Sequence, residues 1–127
     1  MSLTTRGLAA DLRLAGQPDL PVLALLRHDA AEGALVRVVV VLADEDSIEL
    51  PLDRALLTAG LSDPVTDGDV SVWVEGDRAA VRVAELTVLV GLAGLIDLLL
   101  ASYAAAPTGS EHDTVIALTA ARELLQA

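Results

Sequence analysis

Residues 51–77 read PLDRALLTAGLSDPVTDGDVSVWVEGD, and this stretch decides the fold. We predict a helix over residues 52–59, because leucines recur on one side and Asp53 suits the N-cap position. Gly60 is the expected left-handed residue just past the helix, with Leu61 folding back as its apolar contact. The stretch therefore begins with a short capped helix.

A strand follows this helix after turns at Asp63-Pro64 and Asp67-Gly68. Three valines between residues 70 and 74 alternate with other residues, which is the period of a half-buried strand. The alternation places Trp73, the single Trp of the chain, on the face opposite the valines. A large ring on that face is either an anchor that contacts a partner protein or a side chain that a second sheet or a helix of the same chain covers.

Composition excludes several classes of protein. With 127 residues the chain fits one domain, 1–127. Its formal charge is −11, its pI is about 4.3 and its eight basic residues are all Arg, so double-stranded nucleic acid is an improbable partner. Absence of Cys excludes disulfides and thiolate metal sites. The first residues lack the pattern of a secretory signal, so we expect a cytoplasmic protein. The lack of Lys, Asn and Phe is compatible with a GC-rich actinobacterial genome.

The remaining pattern predicts an α+β fold in which a strands-then-helix unit occurs twice. Strands are expected over residues 8–14, 21–27, 34–42 and 47–50, then 69–75, 79–83 and 87–90. Helices are expected over residues 92–103 and from Asp113 or Thr114 onwards. Between the last two strands, Ala84 to Leu86 includes no Gly, Pro or Asn. One long strand through Val90 is therefore an alternative to a tight turn.

The helix over residues 92–103 is apolar well beyond one stripe. Because a small domain has little room to bury such a helix, we predict a subunit interface at Leu95, Leu98, Leu99 and Tyr103. Residues 86–106 are also long enough to span a bilayer. Asp97 lies at the centre of this run, and no Lys or Arg follows it within a dozen residues on the C-terminal side; both observations argue against a membrane span.

Two histidines are the obvious candidates for chemistry. His28, Glu111, His112 and Asp113 could form a metal site of a small hydrolase or a metal sensor. The competing interpretation is that His28 ends a strand and residues 111–113 lead into the last helix, where acidic side chains complement its dipole. No Gly-x-Ser-x-Gly motif is present. We therefore expect a non-enzymatic protein without a cofactor.

The central stretch resembles the SsgA/SsgB-like sporulation and cell division proteins of actinobacteria. That family carries an Arg-x-Leu-Leu-x-x-Gly-Leu helix, a Pro-containing turn and a Gly-Asp-Val-x-Val-Trp strand. The matching residues are Arg54, Leu56, Leu57, Gly60, Leu61, Pro64, Gly68, Asp69, Val70, Val72 and Trp73. The resemblance extends to Leu20-Pro21-Val22, Leu26-Arg27-His28-Asp29, residues 107–112 and the helix over residues 118–125. His28 replaces the family's Tyr, and the family's Ser-Pro-x-Gly turn is missing at residues 84–86, which indicates a divergent paralogue.

The resemblance implies a fold similar to whirly and mitochondrial guide-RNA-binding proteins, assembled as a bell-shaped trimer. It also implies an adaptor that docks cell-division proteins at septa, in the pathway that recruits the tubulin-like protein FtsZ. Candidate contact residues are Trp73, Arg27, His28, Arg54 and Asp69. Relatives of that fold bind single-stranded nucleic acid, which requires a basic groove and stacking aromatics. A chain of charge −11 with one Trp and one Tyr does not meet that requirement.

Overall fold

The computed structural model describes residues 3–42, 46–107, 109 and 111–125. Within these ranges eight strands and three α-helices occur. The strands are β1 (Leu3–Leu14), β2 (Leu20–Asp29), β3 (Leu35–Val41), β4 (Ser47–Asp53), β5 (Val65–Asp67), β6 (Val70–Glu75), β7 (Arg78–Val83) and β8 (Leu86–Gly91). The helices are α1 (Arg54–Ser62), α2 (Leu92–Ala105) and α3 (His112–Leu124). This order confirms that a strands-then-helix unit occurs twice, although the second unit has a fourth strand, β5, where only turns were predicted.

All strands pair antiparallel in one sheet, in the order β4-β3-β2-β1-β8-β7-β6-β5. The two groups of four strands join through β1 and β8, where Ala10 lies opposite Val90. The first strand of the chain therefore lies in the middle of the sheet. The open edges belong to β4 and to the short β5.

The helices cover one face of the sheet; we call the other the open face, although Ala80 and Leu89 on it are fully buried. Side chains alternate between the faces, so Val36, Val38 and Val40 of β3 point into the core. Helix α2 packs across the middle strands, α1 packs on β4, β5 and β6, and α3 packs on α2. The valine-rich run correctly predicted a strand here, and Val39 on the opposite face is buried as well.

A tight turn joins β7 to β8, so the alternative of one long strand is wrong. Ala84 has a φ of 55°, a left-handed conformation that residues other than Gly rarely adopt. Its N–H donates to the carbonyl oxygen of Asp69 at 3.0 Å, and its own carbonyl accepts from Arg82 Nε at 2.8 Å. These two hydrogen bonds stabilise a turn that the sequence does not indicate.

Helix α1 has the predicted N-cap, but it begins at Arg54 and ends at Ser62, later than the predicted bounds of 52 and 59. Asp53 is the N-cap, since its carboxylate accepts the Ala55 N–H at 2.8 Å. Gly60, expected beyond the helix, lies inside it and does not have a positive φ. A Cβ on Gly60 would lie 2.3 Å from Cγ1 of Val72 and 2.9 Å from its carbonyl oxygen. Glycine is therefore required here because α1 approaches β6 closely.

None of the helices that the structure describes combines the length and the apolar character needed to cross a bilayer. Part of the apolar run considered for that role is strand β8, and α2 has 14 residues.

Candidate protein-docking site

Trp73 lies on the open face of β6, as the alternation predicted. Val72 beside it in sequence is completely buried on the helix side, whereas Trp73 is half-buried. The indole Nε1 donates to Glu75 Oε2 at 3.1 Å, and the same oxygen accepts from Arg13 at 3.0 Å. These bonds hold the indole ring in one orientation on the open face. Asp69, another predicted contact residue, is exposed in the turn that precedes β6.

Arg27 is exposed on the open face of β2, where its Cα lies opposite those of Thr5 and Arg37. Strands β1, β8 and β7 separate β2 from β6 in the sheet. The structure therefore does not bring Arg27 next to Trp73.

A cluster of ionised groups surrounds Arg37 on the same face. Arg37 donates to both oxygens of Glu32 and to Glu49 Oε1, the last at 2.6 Å. The hydrogen bond from Arg37 is the main cause that lowers the pKa of Glu32. In turn, the hydrogen bond to Glu32, and after it the one to Glu49, raises the pKa of Arg37. Because Arg37 is already bound to two carboxylates, Arg27 is the more accessible cation for a partner.

His28 does not lie on the docking surface, which corrects the prediction. It is 1% exposed and points to the helix side of β2, with Nε2 at 2.8 Å from the carbonyl oxygen of Gly33. In the described part of the chain, no three His, Asp or Glu side chains form a group able to hold a metal ion. The metal site suggested for His28, Glu111, His112 and Asp113 is therefore not assembled.

Arg54 is also buried, at 1% exposure, so its predicted role as a contact residue is wrong. Its guanidinium donates to the carbonyl oxygens of Ser102, at 2.8 Å, and Ala106, and stacks 4.3 Å from the centroid of the Tyr103 ring. Both carbonyls belong to the C-terminal end of α2, where a positive charge complements the helix dipole. Arg54 therefore fastens the first turn of α1 to the last turn of α2.

The four residues predicted at a subunit interface lie in the core of the single chain. Leu95, Leu98 and Leu99 are 0% exposed and Tyr103 is 7% exposed. The sheet covers one side of α2 and α3 covers another, so the surplus apolar surface needs no second subunit. Each buried leucine contributes about 1.5–3 kcal/mol to the stability of the chain itself. The sequence shows that α2 is apolar on several sides, but it does not show what covers them.

A groove that the sequence does not predict lies between α1 and the pair α2 and α3. Its volume is about 410 Å³. Ala55 and Ala59 of α1 form one wall, and Ala117 and Ala121 of α3 form another. Each pair has the four-residue spacing of one helix face, which is the signal that could have indicated the groove. We call this space, lined by residues of α1, α2 and α3, the α1–α3 groove.

These features define a class of α+β proteins in which an antiparallel sheet has one open face and three helices on the other. The family model of the Streptomyces sporulation and cell division protein SsgA matches residues 22–111. The chain therefore belongs to the SsgA family, as the resemblance predicted.

Two solved structures are similar to the chain. SsgB of Streptomyces coelicolor, studied for mutations that correlate with longitudinal cell division during sporulation, is 29% identical with a TM-score of 0.76, and the match covers 88% of this chain and 95% of that one. An SsgA-like sporulation-specific cell division protein of Thermobifida fusca YX-ER1 is 21% identical with a TM-score of 0.78. That match covers 97% of this chain and 96% of the Thermobifida chain. Both organisms are actinobacteria, in agreement with the predicted source. No curated protein matches the chain.

Proposed function

We propose that this protein is a non-enzymatic adaptor in sporulation-specific cell division, which docks division proteins in the pathway that recruits FtsZ to septa. The single observation that carries the proposal is the SsgA family match over residues 22–111. Docking requires surface groups but no chemical step. Such groups are present in the hydrogen-bonded indole of Trp73 and in the exposed side chains of Arg27 and Asp69.

We further propose that the chain acts as one domain of whirly-like fold and assembles as a trimer. The repeated order of four strands and a helix supports the fold. Because the leucines of α2 are already covered, the trimer needs another surface. The open face of β1 and β2 supplies one, with Leu3 at 64% and Leu23 at 45% exposure. Light scattering over a range of concentrations tests this: a constant trimer mass supports it, and a constant monomer mass contradicts it.

Deletion of the gene in its own organism tests the adaptor function. We expect misplaced or missing septa, seen by microscopy of cells that also carry a fluorescent FtsZ, and recovery of division proteins with the tagged chain. Normal septation together with a pull-down that contains no division protein would contradict the proposal.

Charge reversals at two exposed arginines, one on each face of the sheet, locate the docking surface. Arg27→Glu should weaken recovery of division proteins. Arg6→Glu is the matched control, since Arg6 is also exposed, the change in charge is equal and Arg6 lies on the face that holds buried Leu26. Equal recovery with both variants would exclude Arg27 from the docking surface.

A further inference from the structure

The α1–α3 groove has the shape of a site for apolar side chains on a helix. Its two walls carry alanines at four-residue spacing, so each wall is low and the space between them stays open. The floor is formed by larger buried or half-buried residues, among them Ile96, Leu118 and Tyr103. A volume of about 410 Å³ lies within the range of about 300–1,000 Å³ that binding pockets occupy.

The floor offers a hydrogen-bond acceptor rather than a donor. The Thr58 hydroxyl donates to the carbonyl oxygen of Arg54 at 2.8 Å, which uses its one hydrogen. Thr58 must then accept from the Tyr103 hydroxyl, whose oxygen lies 3.0 Å away. Both hydroxyl hydrogens are thereby committed, so the Tyr103 oxygen can only accept a further bond. A group that enters the groove is best matched here by an N–H or O–H donor.

Exposed carboxylates adjoin the lining of the groove on two sides. Asp63 directly follows Ser62, which lines the groove at the end of α1. Asp113 directly precedes Thr114, which lines it at the start of α3. A cation beside the groove would be attracted to both carboxylates.

Arginines on the three helices do not compensate for these carboxylates. Arg54 is buried and bound to α2, and Arg122 donates to Asp97 at 2.8 Å. His112, at the start of α3, lies against a separate hollow beside Leu100. The surroundings of the groove therefore remain acidic, in keeping with a chain of charge −11.

We propose that the α1–α3 groove binds an amphipathic helical segment of a basic partner protein. The apolar face of that segment fills the space between the alanine walls, and its Lys or Arg side chains meet Asp63 and Asp113. A second copy of this chain is a poor occupant, because the two arginines on its helices are already engaged: Arg54 is buried and Arg122 is bound to Asp97. This inference rests on the proposed adaptor function and names the surface and the chemistry of one partner.

Fluorescence anisotropy with a defined probe tests the site. The probe is a labelled peptide of about five helical turns, built from Leu and Lys so that the leucines form one face. A peptide of the same composition, scrambled to remove that face, is the control. We expect the amphipathic probe to bind about tenfold more tightly than the scrambled one at the same salt concentration. Equal binding would show attraction by net charge alone and would overturn the proposal.

A matched pair of variants on one helix locates the binding. Ala117→Lys fills and charges the groove, whereas Ala120→Lys makes the same change at an exposed residue of α3 that does not line it. Because both variants alter the net charge equally, non-specific attraction weakens equally in both. We expect Ala117→Lys to weaken binding about tenfold relative to Ala120→Lys. Equal affinities would overturn the proposal, and matching circular dichroism spectra confirm that both variants are folded.

Complementation of the gene deletion separates this proposal from the adaptor function. If Ala120→Lys restores septation and Ala117→Lys does not, the groove is the site used in the cell. If both restore septation, the groove proposal fails while the adaptor function stands. If the deletion itself leaves septation normal, the adaptor function fails whatever the peptide does.

Discussion

The bond between Arg54 and α2 can be tested by replacing Arg54 with Met, which keeps much of the side-chain volume and removes the charge. The change removes two hydrogen bonds to carbonyl oxygens and the stacking on Tyr103. Hydrogen bonds from a charged group contribute about 1.5–3 kcal/mol each, and a desolvated cation–π contact contributes about 2 kcal/mol. The gross loss is therefore about 5 kcal/mol or more.

Part of this loss is recovered. The guanidinium of Arg54 no longer has to be desolvated, and Ser102 O still accepts the Ala106 N–H at 2.9 Å. Allowing about 2 kcal/mol for these two effects, we expect Arg54→Met to lower the free energy of unfolding by about 3 kcal/mol. Arg54→Lys keeps the charge but cannot bridge both carbonyls or stack as a plane, so it should lower the free energy by about half as much.

Urea unfolding measures these differences, with the fluorescence of Trp73 as the probe, since the chain has one Trp. Arg27→Met is the control, because Arg27 is exposed and the variant should stay within about 0.5 kcal/mol of the unchanged protein. If Arg54→Met also stayed within that range, or if Lys replaced Arg54 without loss, the fastening of α1 to α2 by the guanidinium would be refuted.

Three further predictions concern stability and are measured in the same urea assay. Gly60→Ala should lower the free energy of unfolding by about 2 kcal/mol or more, because its Cβ would meet a backbone oxygen; Gly94→Ala should cost less, because its Cβ would meet only a flexible leucine side chain. A smaller loss at Gly60 than at Gly94 would contradict the close approach of α1. Ala84→Gly should raise the free energy by about 0.5–1 kcal/mol, since Gly adopts the φ of 55° without strain; no gain would mean that the turn is not strained. The Arg37 hydrogen bond lowers the pKa of Glu32 from its ordinary value of 4.5, so its contribution is present above that pH and lost as pH falls through the lowered pKa. The unchanged protein should be more stable than Glu32→Gln at pH 7 and lose that advantage in acid; a difference independent of pH would refute this assignment.

Local features of the sequence predicted the secondary structure well because each depends on a few neighbouring residues. Asp53 caps α1 as expected, and Trp73 lies on the face of β6 opposite Val72, as the alternation predicted. The sequence left the turn at Ala84 undecided against one long strand, since hydrogen bonds to Asp69 and from Arg82 stabilise it and no Gly, Pro or Asn marks it.

The sequence by itself determined the order of strands and helices, the membership of the SsgA family and the acidic, arginine-only charge pattern. Only the tertiary structure decided which residues are accessible to a partner. Arg54 bonds a carbonyl 48 residues away, and the leucines of α2 are covered by elements distant in sequence. Burial and groove shape depend on the packing of elements far apart in the chain, and neither periodicity nor composition specifies that packing.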